Sequence, residues 1–497
     1  MNNPSIFKLS TVLVFCLALF SCSQANESVL PEPEIKAGIA RIYGKLNGSQ
    51  SKITSLTLSF DNQITADKTF IETTINEDGS FYLEAPIECS TVLGVLNTNG
   101  YGAGVVELFA DDVVNVELNW GNGGIKVNNL TEHRLLTPRD KENYGNVLTK
   151  YSAYSCNSGY SCEPITPDPE KTPAGYARSE LDKMKSRTDY AMKGAKLSNA
   201  GKELILNEFK LFHLTGKLIP FEKQWEGLSD KKPNTDYYVF LKSFDLNNPK
   251  YLYSIFYSLT MQQLLSSQAL NIPPIADMPV AGWLKEVKTT LAGLLGFDTG
   301  RFYDILAASA YAAQFKVELT PLSDIQKNNI QDYFGDGEIA KILLRKNGEI
   351  IRLAEGKSAL FVNKTPNDPK EKLMKSIIAK YKGKVIVVDF WATWCGPCLD
   401  AMQQYRTVKS ELKGKDVVFV YLTNSSSPQE LWEEKIKKIG GEHYYLKDEE
   451  WEYLMDVFNF KGIPSYVIFD TKGEVRHQFT GYPGNARMRT MIEQLLP

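Results

Sequence analysis

Between residues 38 and 130, apolar and polar side chains alternate in short runs. Leu56, Leu58 and Phe60 fall on one side of an extended segment, as do Val114, Val116, Leu118 and Trp120. A period of two puts one face of a strand in a core and the other in water. Turn residues separate the runs: Asp78-Gly79 precedes Phe81 and Leu83, and Gly121-Asn122-Gly123-Gly124 follows Trp120. The pattern predicts an N-terminal antiparallel β-sandwich over 38–130. From 140 to 345 the spacing becomes helical, interrupted by a proline-rich loop from Pro164 to Pro173. Ile205, Phe209 and Phe212 stand at i, i+4 and i+7, and Ser323 with Gln326 forms a capping-box pair. Residues 251–270 are apolar but carry Gln262, Gln263, Ser266, Ser267 and Gln268, the mark of a buried helix and not of a membrane span. This stretch is predicted to be a helical middle domain.

Pro366-Asn367-Asp368-Pro369 reads as a linker, and strands then alternate with helices over 360–497. Residues 384–392 and 417–422 read as buried strands, with a helix opening at the cysteines between them. Ser427-Pro428-Gln429-Glu430 predicts a helix start with Ser427 as its cap; Trp432, Ile436 and Ile439 line one face of that helix and Gly440 ends it. Asp470-Thr471-Lys472-Gly473 joins two further strands as a hairpin turn. The chain is therefore predicted to be multidomain, with a C-terminal sheet covered by helices.

The first residues differ from everything after them. Lys8 precedes an apolar run from Thr11 to Phe20, which marks residues 1–21 as a secretory signal too short to span a bilayer. Leu19-Phe20-Ser21-Cys22 resembles a bacterial lipobox. That resemblance implies acylation of Cys22, a membrane held through its lipid anchor, and a position on the periplasmic side of the cell envelope. A net charge of −3 gives no Lys/Arg excess with which to track phosphates, so nucleic acid is excluded as a partner.

Seven cysteines take on meaning in that compartment, where disulfides persist. Cys16 leaves with the signal and Cys22 carries lipid. Cys89 reads as a small buried hydrophobe, and Cys156 and Cys162 are spaced for a local disulfide. Cys395 and Cys398 remain, as Cys-Gly-Pro-Cys. Zinc would need four ligands, and His133, His213, His443 and His477 are scattered, so neither a metal nor another cofactor is expected. A crosslink closing so short a loop stabilises little. Redox exchange suits the spacing: Cys395 at a helix N-terminus has its thiolate stabilised by free N–H groups, Pro397 fits the first turn, and Cys398 lies one turn inward as the resolving thiol. Asp389, set among Val387, Val388, Phe390 and Trp391, is expected to be buried, with a raised pKa, and to accept the proton of Cys398.

The run "VVDFWATWCGPC" resembles the active-site strand and turn of thioredoxins, and "KGIPSYVIFDTKGEV" resembles their later segment. The resemblance covers 360–497 and implies a thioredoxin fold with Asp389 as the buried acid, Trp394 flanking the site, Cys395 and Cys398 as the redox pair and Pro464 as a cis-proline. With a cis bond, the backbone of Ile463 can pair with a substrate strand, and Gly481 leaves room for it. The leader narrows the resemblance to membrane-tethered TlpA-like thiol-disulfide oxidoreductases. Gln403 stands where a helix-kinking proline is usual, and Tyr421-Leu422-Thr423 lacks the lysine that often accompanies the acid.

The expected activity is reduction of disulfides in exported proteins, recharged by a membrane electron donor, with thioredoxin's potential of about −270 mV as the guide. An oxidase or isomerase, or an envelope-assembly lipoprotein with an accessory redox domain, are the alternatives.

Overall fold

The computed structural model describes residues 29–48, 53, 55–98, 103–121, 124–130, 135–153, 172–222, 234–318, 320–355 and 359–497. The expected signal peptide with Cys22, and the pair Cys156 and Cys162, lie outside the described residues.

Alternation in the first region builds two four-stranded sheets. One contains β1 (Ile35–Asn47), β4 (Ser80–Cys89), β7 (Val113–Gly121) and β8 (Gly124–Asn129), in the order β4-β1-β7-β8. The other contains β2 (Ser55–Asp61), β3 (Lys68–Thr74), β5 (Thr91–Asn97) and β6 (Ala103–Phe109), in the order β3-β2-β5-β6. Inward residues of both sheets, among them Leu56, Leu58, Phe60, Leu83, Val114, Val116 and Leu118, enter one apolar cluster, and Cys89 is a free, buried member of it. The second sheet is antiparallel throughout. The first departs from expectation at one ladder, where β1 runs parallel to β7 from Arg41↔Val113 to Asn47↔Asn119. A parallel neighbour requires a long crossover, here supplied by all the strands in between.

Helices follow: α1 (Pro138–Ala153), α2 (Pro173–Met192), α3 (Asn199–His213), α4 (Ile255–Leu265), α5 (Val280–Leu295), α6 (Arg301–Glu318), α7 (Asp324–Phe334) and α8 (Glu338–Glu355). Ile205 and Phe209 are buried in α3, and the Ser323–Gln326 capping box opens α7. The apolar stretch 251–270 is divided between a short 3₁₀ turn and α4, whose Tyr257, Met261 and Leu264 are buried. No helix among the described residues is long and apolar enough to cross a membrane. These helices share their core with the N-terminal sheets.

The last region is a six-stranded sheet in the order β14-β13-β10-β11-β12-β9, made of β9 (Leu360–Asn363), β10 (Val385–Phe390), β11 (Val417–Thr423), β12 (Gly441–Tyr445), β13 (Ser465–Phe469) and β14 (Val475–Thr480). Helices α9 (Lys370–Ala379), α10 (Gly396–Gln404), α11 (Arg406–Glu411), α12 (Gln429–Ile439), α13 (Asp448–Val457) and α14 (Asn485–Glu493) complete it. The hairpin turn after β13 closes on its own side chain, Asp470, which accepts from the Lys472 and Glu474 N–H groups. The region is docked onto the others through polar contacts. Glu72 on β3 accepts from the Ala486 N–H at 3.2 Å.

Candidate active site

Strand β10 serves two cores. Val385, Val387 and Trp391 enter the apolar cluster that also holds Cys395 and Cys398, whereas Ile386, Val388 and Phe390 enter the cluster on the other face. Strand periodicity therefore assigns Asp389 to the cysteine side. Its neighbours β11 and β13 pair with it on both edges, leaving Asp389 1% exposed.

The turn after β10 is held by backbone and hydroxyl contacts. Trp391 N–H donates to the Leu422 carbonyl at 3.0 Å, Cys395 N–H to the Ala392 carbonyl at 3.1 Å, and Thr393 N–H to Ser427 Oγ at 3.0 Å. Ser427 thus does not cap α12 as its sequence position suggested. The helix begins at Gln429 with no side-chain cap, and the Ser427 hydroxyl pairs instead with Thr423 Oγ1 at 2.8 Å, bracing the active-site turn.

Helix α10 starts one residue after Cys395, which is its N-cap. The Cys398 N–H is shared between the Cys395 carbonyl at 3.1 Å and Cys395 Sγ at 3.2 Å, so the sulfur receives a first-turn amide of the helix and lies at the positive end of its dipole. The two cysteines form a disulfide with Cα atoms 5.3 Å apart. Cys395 is 3% exposed and Cys398 0%. Trp394 projects beside them, 64% exposed, with its indole N–H on Ser426 Oγ at 3.3 Å. The antiparallel register Phe390↔Ser465 brings the loop before β13 to the end of β10 where the cysteines lie. There Ile463–Pro464 is cis, Ile463 is half-buried against the cysteine cluster, and Gly481 N–H donates to the Pro464 carbonyl at 2.8 Å. Gly481 has φ +84°, and a Cβ there would meet no atom within 4 Å.

The helix after Cys398 is interrupted without a proline, since Tyr405 separates α10 from α11 at φ −84°, ψ 8°. That break places the Tyr405 hydroxyl 3.1 Å from Asp389 Oδ2 and 2.9 Å from the Tyr421 hydroxyl, while Lys409 Nζ donates to Tyr421 at 3.0 Å. Asp389 Oδ1 has no hydrogen-bond partner among the described residues. Burial pushes the Asp389 carboxyl up to about 8, against the opposing pull of the Tyr405 hydroxyl and the Lys409 charge. Burial holds the His443 imidazole, stacked on Tyr421 at 4.7 Å, down to about 3. Tyr405, Lys409 and Tyr421 were not singled out from the sequence. The available signal was a lysine at i+4 from a tyrosine, with Val408 and Leu412 of the same segment buried.

The sign of the Asp389 shift makes a stability prediction. Its folded pKa, about 8, lies above the unfolded value near 3.8, so between them the folded state holds a proton that the unfolded chain has lost. This group's contribution is therefore full below about pH 4 and is lost as pH rises to about 8. Asp389→Asn is expected to flatten that decline, as read by urea unfolding of oxidised protein at several pH values; a decline identical to wild type would refute the shift.

A family model described as Thioredoxin-like matches residues 383–475. The chain is 25% identical over 120 residues to the thiol-disulfide oxidoreductase ResA of Geobacillus kaustophilus, covering 24% of this chain and 68% of that protein. It is 26% identical over 117 residues to the thiol-disulfide oxidoreductase YkuV of Bacillus subtilis, covering 23% of this chain and 78% of that protein. Among solved structures, StoA of Bacillus subtilis aligns at 23% identity over 22% of this chain and 83% of its own, with a TM-score of 0.19. The C-terminal domain of this chain belongs to the thioredoxin superfamily, as a TlpA-like thiol-disulfide oxidoreductase domain.

Proposed function

We propose that this protein is a lipid-anchored, extracytoplasmic reductase of disulfides in exported proteins. The observation that carries the reading is the Cys395 sulfur at the N-terminus of α10, accepting the Cys398 amide. As a thiolate, Cys395 attacks one sulfur of a substrate disulfide; the substrate S–S bond breaks and its other sulfur leaves with the electron pair. Cys398 then loses its proton to Asp389 and attacks Cys395 Sγ. The mixed disulfide breaks, and the enzyme is left oxidised with Cys395 and Cys398 joined. Two electrons from a membrane thiol-disulfide donor restore the dithiol. Trp394 flanks the bound substrate, and the backbone of Ile463 beside Pro464 pairs with its extended strand. The leader 1–21 followed by Cys22 supports export and anchoring on the periplasmic side of the envelope.

We assign 38–130 to a β-sandwich domain, 140–345 to a helical domain and 360–497 to the redox domain. The shared core of the two N-terminal sheets supports the sandwich. Cys398→Ala is expected to stall the reaction with substrates covalently held on Cys395. The check is non-reducing electrophoresis of envelope extracts followed by identification of the adducts. Absence of thiol-reversible adducts, with Cys395 still open to alkylation, would refute a substrate-reducing role.

A further inference from the structure

The buried groups beneath the cysteine pair are more ordered than a lone acid in an apolar strand requires. Asp389 is faced by Tyr405 from the α10–α11 break, Tyr421 from β11, Tyr466 from β13 and Tyr482 after β14, on the strand face that also packs the cysteines; the charge of Lys409 of α11 acts on it, with Arg406 and His443 beside Tyr421. Three of these lie in a continuous line from the carboxylate: Tyr405 OH at 3.1 Å from Oδ2, Tyr421 OH at 2.9 Å from Tyr405, and Lys409 Nζ at 3.0 Å from Tyr421. Lys409 also donates to the Ile439 carbonyl at 3.0 Å, which fixes its ammonium at the far end.

We propose that Lys409, Tyr421 and Tyr405 act as one positioning chain that keeps Asp389 Oδ2 an acceptor and leaves Oδ1 as the atom that takes the proton of Cys398. The direction follows from donor counting. An ammonium donates and never accepts, and each tyrosine has a single hydroxyl proton. The single Tyr405 proton has two acceptors in reach, Oδ2 and the Tyr421 oxygen; because the Lys409 ammonium already donates to Tyr421, that proton goes to Oδ2, the stronger acceptor. That orientation favours the ionised carboxylate. Oδ1, which has no partner among the described residues, is the free basic position. One proton moves in the step, from Cys398 Sγ to Oδ1, and none moves along the chain. The resulting thiolate attacks Cys395 Sγ, and the electron pair departs on the substrate sulfur.

The inference rests on Asp389 being the proton acceptor of the proposed reaction, and the test separates the two. The full-length protein, reduced beforehand, is given insulin as the disulfide probe, and single-turnover oxidation is followed across pH for wild type, Asp389→Asn, Tyr405→Phe, Tyr421→Phe and Lys409→Met. Wild type is expected to gain rate through an inflection near the Asp389 pKa of about 8, and Asp389→Asn to lose it. Tyr405→Phe is expected to move the inflection up by about one pH unit, making the reaction roughly tenfold slower at neutral pH, because a hydrogen bond to a charged group is worth about one such unit. Tyr421→Phe and Lys409→Met are expected to move it the same way by less, and their double variant no further than the larger single one. The two phenylalanine variants keep ring packing, so folding losses do not mask the result. If Asp389→Asn removes the inflection while the other variants leave it in place, or if Tyr421→Phe and Lys409→Met add, the chain has no positioning role and this inference alone falls. If Asp389→Asn leaves the inflection unchanged, the acid is not the acceptor and both readings fall.

Discussion

Cys395→Ser is expected to reduce disulfide exchange to the uncatalysed background, a loss of at least about 10³-fold, since removing a covalent nucleophile removes the pathway itself and not a contribution to it. The Ser hydroxyl cannot be activated by the devices that serve the sulfur. One amide at 3.2 Å and a helix dipole lower a thiol's pKa into a useful range, but they leave an alcohol protonated. The same substitution removes the disulfide, whose four-residue loop restrains the unfolded chain by only about 2 kcal/mol in the entropic account. The contrast is the diagnostic: activity vanishes while the urea midpoint moves modestly. Insulin reduction in the presence of dithiothreitol, with circular dichroism on the same preparation, measures both. Retention of more than about a tenth of the wild-type rate would place the chemistry elsewhere in the chain.

What could be read from the sequence divides according to the range of the interactions involved. Asp389 was legible because its immediate neighbours Val387, Val388, Phe390 and Trp391 imply a strand covered on both faces, and a strand covered in that way buries whatever it carries. The Ser323–Gln326 cap was legible because its partners are three residues apart. The pairing of β1 with β7 was not, since parallel partners some seventy residues apart leave no local trace. The same holds for β9, a four-residue strand that joins the sheet only through β12. Ser427 shows a local rule overridden: its position fits a helix cap, yet the Thr393 amide, brought close by the fold, takes the hydroxyl. Lys409 shows the converse. The lysine absent from the segment Tyr421-Leu422-Thr423 has a counterpart on α11, reaching Tyr421 only because the helix breaks at Tyr405.

That dependence of the site on its strand leads to the second large effect. Phe390 is fully buried at the end of β10, next to Asp389, with its ring 5.6 Å from Trp451, 6.1 Å from Phe458 and 5.5 Å from Phe460. Two of these contacts are edge-on, the arrangement aromatic quadrupoles favour. Phe390→Ala removes the ring from a cluster whose other members belong to the sheet, to α9 and the turn after it, and to the segment around α13, all held by their own elements, so the space is not readily filled. The expected cost is about 3–5 kcal/mol, the sum of lost transfer energy and an uncollapsed cavity. With a urea slope of about 1–3 kcal/mol/M for a domain of this size, the midpoint should fall by about 1–5 M at unchanged slope, followed by tryptophan fluorescence. Because the ring lies on the face opposite the cysteines, exchange chemistry at low temperature should stay within about threefold of wild type even as the domain loses stability. A cost below about 1 kcal/mol would mean that the aromatic cluster does not hold the strand that presents Asp389 and the cysteines.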